Sequence, residues 1–549
     1  MRRKNVISIV LNAHLPFARR DGTDFSFEEI PFYSMVSETL LPLLEMFDRL
    51  EADKVPFRLG LAVSPVLCHL LTDETLINNY LDYVDRQIAF GAEELERTKN
   101  DPAMRALADY YYDNAIERRI AFTERYEKNI PRALARYQKK GRLELLTSPA
   151  TNCFLPFYAN HHEVIRAQIE TALASHKKFF NTKPSGFWLP ELGYSHKLSA
   201  YMRYYGFRYT ILDTLSALLA DPPPRYGSFF PLKTKSDLVL LVKDFYAHRD
   251  ITDREQGLPV ESVFRDFFHD AADDLPIENI KRFLSDDGTR LSTGYKYYSI
   301  GGSENPARLY CPAIAAEKAK EYAELFLERI VSALNRAVGL MRECPPPDSR
   351  GKADAPAALS LLTLNADSLG RFWHEGTLFL ENLFRAGCAK NEIRFMTPSE
   401  YIDSENEDSF QVIKPEFSSS GFNGYAESLL DASNDDFYRH IFYAAERMAE
   451  LAERFRNETG IKERALNQAA REILLALSSD WQRLMSTRNN VSLPKWRHYA
   501  RAAAESHLKN FTTIYEALGS DYLSTRFLTD IEHRNNIFPD INYGVFRRK

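Results

Sequence analysis

The feature that most constrains this chain is a succession of short apolar runs set between stretches of helical periodicity. Residues 6–11 are β-branched and apolar and are bounded by polar residues, as a strand covered on both faces must be. Residues 57–63 form a second such run, and residues 32–50 between them carry apolar side chains at helical spacing. Strand, helix, strand in that order is the opening unit of a parallel α/β fold. Strand-like runs resume at 143–147, 186–189, 209–212, 238–242, 358–364 and 393–395. A parallel set of this size requires a closed barrel or a large open sheet.

The intervals between these runs are uneven. Residues 73–140 are rich in Glu, Arg, Tyr and Ala, broken at Asn100-Asp101-Pro102, and read as a helical insertion. Residues 247–287 are charged and weakly periodic, and a loop of that length in a compact domain is usually functional or partly helical. Residues 344–355, rich in Pro, Gly and charge, read as an exposed connector. From about Ser409 the strand signals fade, and residues 436–457, 463–477 and 494–518 show amphipathic helical spacing. The expected organisation is a catalytic-type α/β domain over residues 1–405, holding the insertion at 73–140, and a helical C-terminal domain over 406–549.

Several classes of function are disfavoured. A formal charge of -6 offers no broad positive field, so no nucleic-acid partner is expected. The cysteines Cys68, Cys153, Cys311, Cys344 and Cys388 are odd in number and widely spaced, with no CxxC pair. Neither a disulfide framework nor a zinc knuckle is indicated, and a cytoplasmic home is the simpler expectation. No apolar run reaches the roughly eighteen residues of a membrane span. The basic start Met1-Arg2-Arg3-Lys4 leads into a short apolar stretch without a cleavage site and reads as a first strand. No three-ligand metal pattern is apparent, so no metal and no cofactor are expected. Aromatic residues reach 13%, and such rings both fill cores and stack on sugars.

In a parallel barrel the C-terminal strand ends face the active site, so polar residues just after a strand are the ones to weigh. They occur at Asn12-Ala13-His14-Leu15-Pro16, between Glu144 and Asn152, at Trp188-Leu189-Pro190-Glu191, and from Leu364-Asn365-Ala366-Asp367 to Trp373-His374-Glu375-Gly376. Retaining glycosyl transfer needs a carboxylate nucleophile and a second carboxyl group about 5 to 5.5 Å away. Glu191 and a carboxylate near position 365 would supply them. The structural alternative for Glu191 is an acid in the first turn of a helix, beside its dipole. His14 is either a hydrogen-bonding partner of sugar or nucleophile, or a satisfied structural histidine.

These motifs, taken in order, resemble glycoside hydrolase family 57, and most of all its 1,4-α-glucan branching enzymes. Val10-Leu11-Asn12-Ala13-His14-Leu15-Pro16-Phe17 is similar to the family's His-x-His-Leu-Pro-Tyr opening. Residues 141–156 resemble its Gly-x-Ile-Glu-Ile segment, and Trp188-Leu189-Pro190-Glu191 matches its Trp-x-Pro-Glu nucleophile motif. Residues 364–376 resemble its Tyr-Asp-x-Glu-Leu-Phe-Gly-His-Trp-Trp-x-Glu-Gly motif, and Ser478-Ser479-Asp480-Trp481 a Ser-Asp-Trp of its C-terminal domain. The resemblance implies an irregular (β/α)7 barrel, an α-glucan such as glycogen, amylose or maltooligosaccharide as partner, and Glu191 as nucleophile. Sugar contacts would fall to His14, Asn12, Asn152, Trp188, Trp373 and Trp481.

The departures are as specific as the matches. The family's general-acid Asp falls on Asn365, its histidines fall on Asn12 and Asn152, and a His-Trp pair becomes Arg371-Phe372. An amide cannot protonate a leaving alkoxide, and such a loss costs on the order of 10²- to 10⁴-fold. Because residues i and i+2 of an extended strand face one side, Asp367 is a substitute acid to be tested. Three readings follow: a branching-type transferase with lowered activity, a glucan-binding or scaffolding protein without turnover, and an amylase-like hydrolase. An unrelated barrel such as a polysaccharide deacetylase would need a metal constellation.

Overall fold

A computed structural model describes residues 4–20, 26–301, 308–343, 356–421, 423–488, 494–520 and 522–548. The expected connector at 344–355, with Cys344, and the first three residues of the basic start lie outside the described residues.

The apolar runs form strands where the spacing predicts them. In chain order they are β1 (Asn5–Ala13), β2 (Leu59–Val63), β3 (Leu143–Leu146), β4 (Gly186–Phe187) and β5 (Tyr209–Leu212). They continue with β6 (Leu232–Lys233), β7 (Val239–Val242), β8 (Leu359–Asn365), β9 (Ile393–Phe395) and β10 (Gln411–Val412). Strands β6 and β10 are two residues each, too short to carry a period in the sequence. One sheet runs β3-β2-β1-β8, with β9 beside the first half of β1, and the other runs β10-β6-β7-β5-β4. All pairings are parallel except β6 with β7.

Hydrogen bonds join the two sheets on both flanks. On one side Trp188 N–H donates to Thr147 O at 2.8 Å, beside a parallel bridge between Thr147 and Phe187. On the other, Asp244 N–H donates to Leu361 O at 2.8 Å, and the Ser360 hydroxyl donates to the Asp244 carboxylate at 2.6 Å. The path β1-β2-β3-β4-β5-β7-β8 thus returns to β1, as an irregular seven-stranded α/β barrel requires.

Alternation along the strands separates the two cores. Val6 and Val10 of β1, with Leu359 and Leu361 of β8, Leu146, Tyr209, Ile211, Val239 and Leu241, pack into one buried cluster inside the barrel. Ile7, Ile9 and Leu11 of β1 pack outward into the larger core under the helices. The period of two also fixes which polar residues continue the inner face at the strand ends: Asn12 follows Val10, and Asn365 follows Leu361 and Thr363.

The insertion after β2 is helical, with helices Glu74–Arg97, Pro102–Ile120 and Ile130–Lys139. Each starts on a capping side chain, Asp73, Asp101 and Asn129 respectively, that accepts backbone N–H groups. The region 247–287 is partly helical and is followed by a segment that docks on the insertion. There Tyr295 donates to Gln87 O at 2.9 Å and Tyr297 to the Glu94 carboxylate at 2.8 Å. These two tyrosines are core residues, at 1% and 3% exposure.

At the C-terminal end the helices Asp435–Arg454, Gly460–Ala476, Ser479–Met485, Pro494–Ser520 and Thr525–Arg534 follow one another. The stretch before them differs from the helical expectation. Residues 411–412 pair with β6, and Lys414 and Ser418 bridge to Asp221 and Tyr194, so this segment runs along the barrel.

Candidate active site

The register of β1 against β8 sets Asn12 directly beside Asn365. Their side chains meet, Asn12 Nδ2 donating to Asn365 Oδ1 at 3.2 Å. The Asn12 carbonyl oxygen is buried without a protein partner, whereas Asn365 is exposed at the strand end. Two neutral amides therefore stand side by side on this wall of the barrel mouth.

The next wall is charged. His14 follows β1, and its Nε2 lies 2.8 Å from Asp480 Oδ2 while its Nδ1 lies 2.8 Å from Ser64 Oγ at the end of β2. A carboxylate accepts only, so Nε2 carries the proton donated to Asp480. The trio looks like a nucleophilic serine triad. However, Ser64 is fully buried and its Oγ also accepts the Leu67 N–H as a helix N-cap, so it is not open to a substrate. Asp480 takes two more side-chain donors, Asn152 Nδ2 at 2.8 Å and the Ser478 hydroxyl at 2.7 Å. Burial alone would raise the Asp480 carboxyl; His14, Ser478 and Asn152 outweigh it and hold the group below the usual aspartate range.

Glu191 sits in the turn after β4. Its φ of 52° and that of Leu192, 48°, lie in the left-handed region, which costs a non-glycine residue about 1–2 kcal/mol. Neighbouring bonds over-determine the turn: Leu192 N–H to Leu189 O and Gly193 N–H to Pro190 O, both 2.9 Å, and Ser420 N–H to Glu191 O at 2.6 Å. A Cβ on Gly193 would lie 2.0 Å from the Phe154 ring, so only glycine fits there. The Glu191 side chain keeps 21% of its surface accessible, and Arg483 Nη1 donates to its Oε1 at 3.0 Å. The Arg483 side chain is itself 48% exposed. Glu191, and less strongly Asp480 and Asp367, hold its guanidinium charge in place.

Asp367 lies one short turn beyond Asn365. That turn is pinned by Phe372 N–H donating to Asp367 O at 2.9 Å and by Gly370, whose φ is 114° and whose added Cβ would lie 1.9 Å from Glu38 O. Burial pushes the Asp367 carboxyl above the ordinary aspartate range, although Arg371, Arg483 and His14 pull the other way. Arg371 Nη1 is 3.5 Å from Asp367 Oδ2, and 19% of the Asp367 side chain is accessible.

The structure thus gathers Asn12 with Asn365, and His14 with Asn152 through Asp480. It also sets Glu191 and Asp367 within the field of one arginine. The tryptophans expected to line the sugar path are core residues instead. Trp188 belongs to the cluster inside the barrel. Trp373 packs against Phe264 and Phe379 with 2% exposure. Trp481 is fully buried and donates its indole N–H to Leu475 O at 2.8 Å. A flat apolar side chain beside a motif is more stabilising inside than open, which the sequence pattern does not reveal.

What the sequence reading missed is the polar side of the same helix. Asp480 and Arg483 lie three residues apart on one face of Ser479–Met485 and reach His14 and Glu191, 466 and 292 residues away. Open aromatic rings are also unforeseen: Phe245 and Tyr246 after β7, Phe372 after β8, and Phe268 and Tyr425 in loops, each between 42% and 78% exposed. Among the described residues no three His, Cys, Asp or Glu side chains gather to hold a metal ion, and no helix is long and apolar enough to cross a membrane.

Comparison with known proteins gives the family. The chain is 25% identical over 579 residues to a 1,4-alpha-glucan branching enzyme of Thermococcus kodakarensis, covering 99% of this chain and 78% of that one. Among solved structures, the α-amylase AmyC of Thermotoga maritima superposes with a TM-score of 0.89 at 30% identity, over 100% of both chains. A family 57 type branching enzyme of Pyrococcus horikoshii superposes at 0.84 with 22% identity, over 100% of this chain and 97% of that one. Residues 440–546 match the C-terminal region of 1,4-alpha-glucan branching enzymes, and residues 8–328 match glycosyl hydrolase family 57. With more than half its length matched, the chain belongs to glycosyl hydrolase family 57.

Proposed function

We propose that this protein acts on α-1,4-linked glucan at the barrel mouth by a two-step displacement, with Glu191 as nucleophile and Asp367 as proton donor in place of Asn365. Glu191 attacks the anomeric carbon, the glycosidic C–O bond breaks, and Asp367 gives its proton to the departing 4-oxygen. A 6-hydroxyl of a second glucan then displaces Glu191 and returns a proton to Asp367. Water in that role would make the reaction a hydrolysis. Transfer is preferred because residues 440–546 match branching enzymes, although a similar structure is that of an amylase.

The observation that carries the proposal is the 3.0 Å ion pair from Arg483 to Glu191, which fixes an accessible carboxylate in position at the strand ends. The raised proton affinity of Asp367 supports its role, since a general acid must hold its proton at working pH. The exposed rings of Phe245, Tyr246, Phe268, Phe372 and Tyr425 supply faces for sugar stacking, a part the buried tryptophans do not play.

The amide pair of Asn12 and Asn365 favours a second reading, a glucan-binding protein without turnover. One experiment separates the two. Purified protein is incubated with amylose, followed by iodine staining and by analysis of α-1,6 branches, beside Glu191→Gln. New branches or shorter chains that vanish in the variant support catalysis. Unchanged amylose together with glycogen retention establishes the silent binder.

A further inference from the structure

The barrel carries a cavity at the opposite end from Glu191. Its volume is about 690 Å³, within the roughly 300–1,000 Å³ range of small-molecule sites. Five cationic residues line it: Lys4 just before β1, Arg58 just before β2, Arg142 just before β3, and Lys390 and Arg394 around the start of β9. Four separate chain segments therefore bring positive charge to one hollow at the strand N-termini. This end of a parallel barrel takes no part in chemistry at the mouth, so the proposed glucan reaction does not account for the cluster.

The charge is only partly cancelled within the hollow. Two carboxylates line it, and both have cationic partners: Glu400 accepts from Arg58 Nε at 2.7 Å, and Asp403 accepts from Arg208, outside the cavity, at 2.7 Å. Arg142 reaches Glu51 only at 3.4 Å and lies over the Phe57 ring. Arg394 has the neutral Ser404 hydroxyl at 3.4 Å, and no ion pair to Lys4 or Lys390 is found among the described residues. Like charges around one hollow repel, and an anion bound among them would relieve that repulsion.

We propose that this cavity binds a small organic phosphate. Guanidinium forks and ammonium groups together suit a phosphate oxygen set, and the volume leaves room for the carbon skeleton attached to it. Cys388 lines the same cavity, its thiol donating to Pro56 O at 3.3 Å, and is exposed, whereas the exposed Cys311 lies outside it. The pair supplies a built-in reporter and its control.

The test titrates the full chain by calorimetry with glucose 1-phosphate, pyrophosphate and ADP, with glucose as the phosphate-free probe, and repeats it with the double variant Lys390→Glu, Arg394→Glu. Both side chains are exposed, so the variant is expected to keep its fold, checked by circular dichroism. The expected result is saturable, salt-weakened binding of at least one phosphate probe, at least 10-fold weaker in the variant, with alkylation of Cys388 but not Cys311 slowed by the ligand. Absence of saturable binding up to about 10 mM, equal binding by the variant, or equal binding of glucose would overturn the proposal.

Discussion

Two walls of the barrel mouth invite comparison. Where β1 meets β8, the paired residues are Asn12 and Asn365, neutral amides bonded to each other. Where the C-terminal helix Ser479–Met485 comes down on the strand ends, the residues are charged: Arg483 on Glu191, and Asp480 on His14 with Asn152 and Ser64 completing the set. On the proposed mechanism the charged wall holds the nucleophile Glu191, and the proton comes from Asp367, one turn beyond the amide wall, rather than from position 365. On that reading the two groups follow different strands, β4 and β8, yet share the field of Arg483.

The comparison breaks first at Glu191. If the charged wall holds the nucleophile, Glu191→Gln should lower glucan turnover on the order of 10⁴-fold, measured as branch formation and reducing-end release, with glycogen binding retained. An unchanged rate would move the chemistry elsewhere. The amide wall gives the opposite sign. Asn365→Asp should raise kcat by up to about 10²-fold with little change in KM, because it adds a carboxyl group at the strand end beside the Asp367 donor; a larger gain would mean that Asp367 donates no proton in the unsubstituted protein.

Asp367 sharpens the contrast. As proton donor it must be protonated, so activity should fall as pH rises through its elevated pKa. Asp367→Asn should cost about 10²-fold and remove that alkaline fall from the kcat profile. A lower rate with an unchanged pH profile would leave Asp367 a positioning role.

The smallest effect concerns stability. Asp480 has a depressed pKa in the folded chain, so its contribution is present above the unfolded value near about 3.9 and is lost as pH falls through the folded value. Asp480→Asn should therefore cost about 2 kcal/mol in urea unfolding at pH 7. That difference from the unsubstituted protein should shrink when unfolding is repeated below about pH 4.

The barrel strands were legible because burial on both faces leaves a continuous apolar run, as in β1 and β8. The insertion helices were legible because charge, periodicity and caps such as Asp73 and Asp101 agree locally. Strands β6 and β10 were not, since two residues hold no period. At the site, Glu191, Asn365 and His14 stand directly after strands and could be read as facing the mouth. Asp480 and Arg483 could not, because no local signal says that a helix near the chain end will place its polar face on strand ends hundreds of residues earlier. The burial of Trp188, Trp373 and Trp481 was not legible for a related reason: ring chemistry suits a sugar and a core equally, and only packing chooses.

By itself the sequence determined the parallel α/β order, the inward face of each strand through its period of two, and the residues that stand at the strand ends. It also fixed the absence of a carboxyl group at position 365. Tertiary structure decided which of those residues meet: that Asn12 pairs with Asn365, that Arg483 reaches Glu191, that Trp481 is sealed inside, and that five basic residues enclose one hollow at the barrel base. Periodicity is a local property of the backbone, whereas a contact between distant residues exists only once the whole chain has closed around its cores.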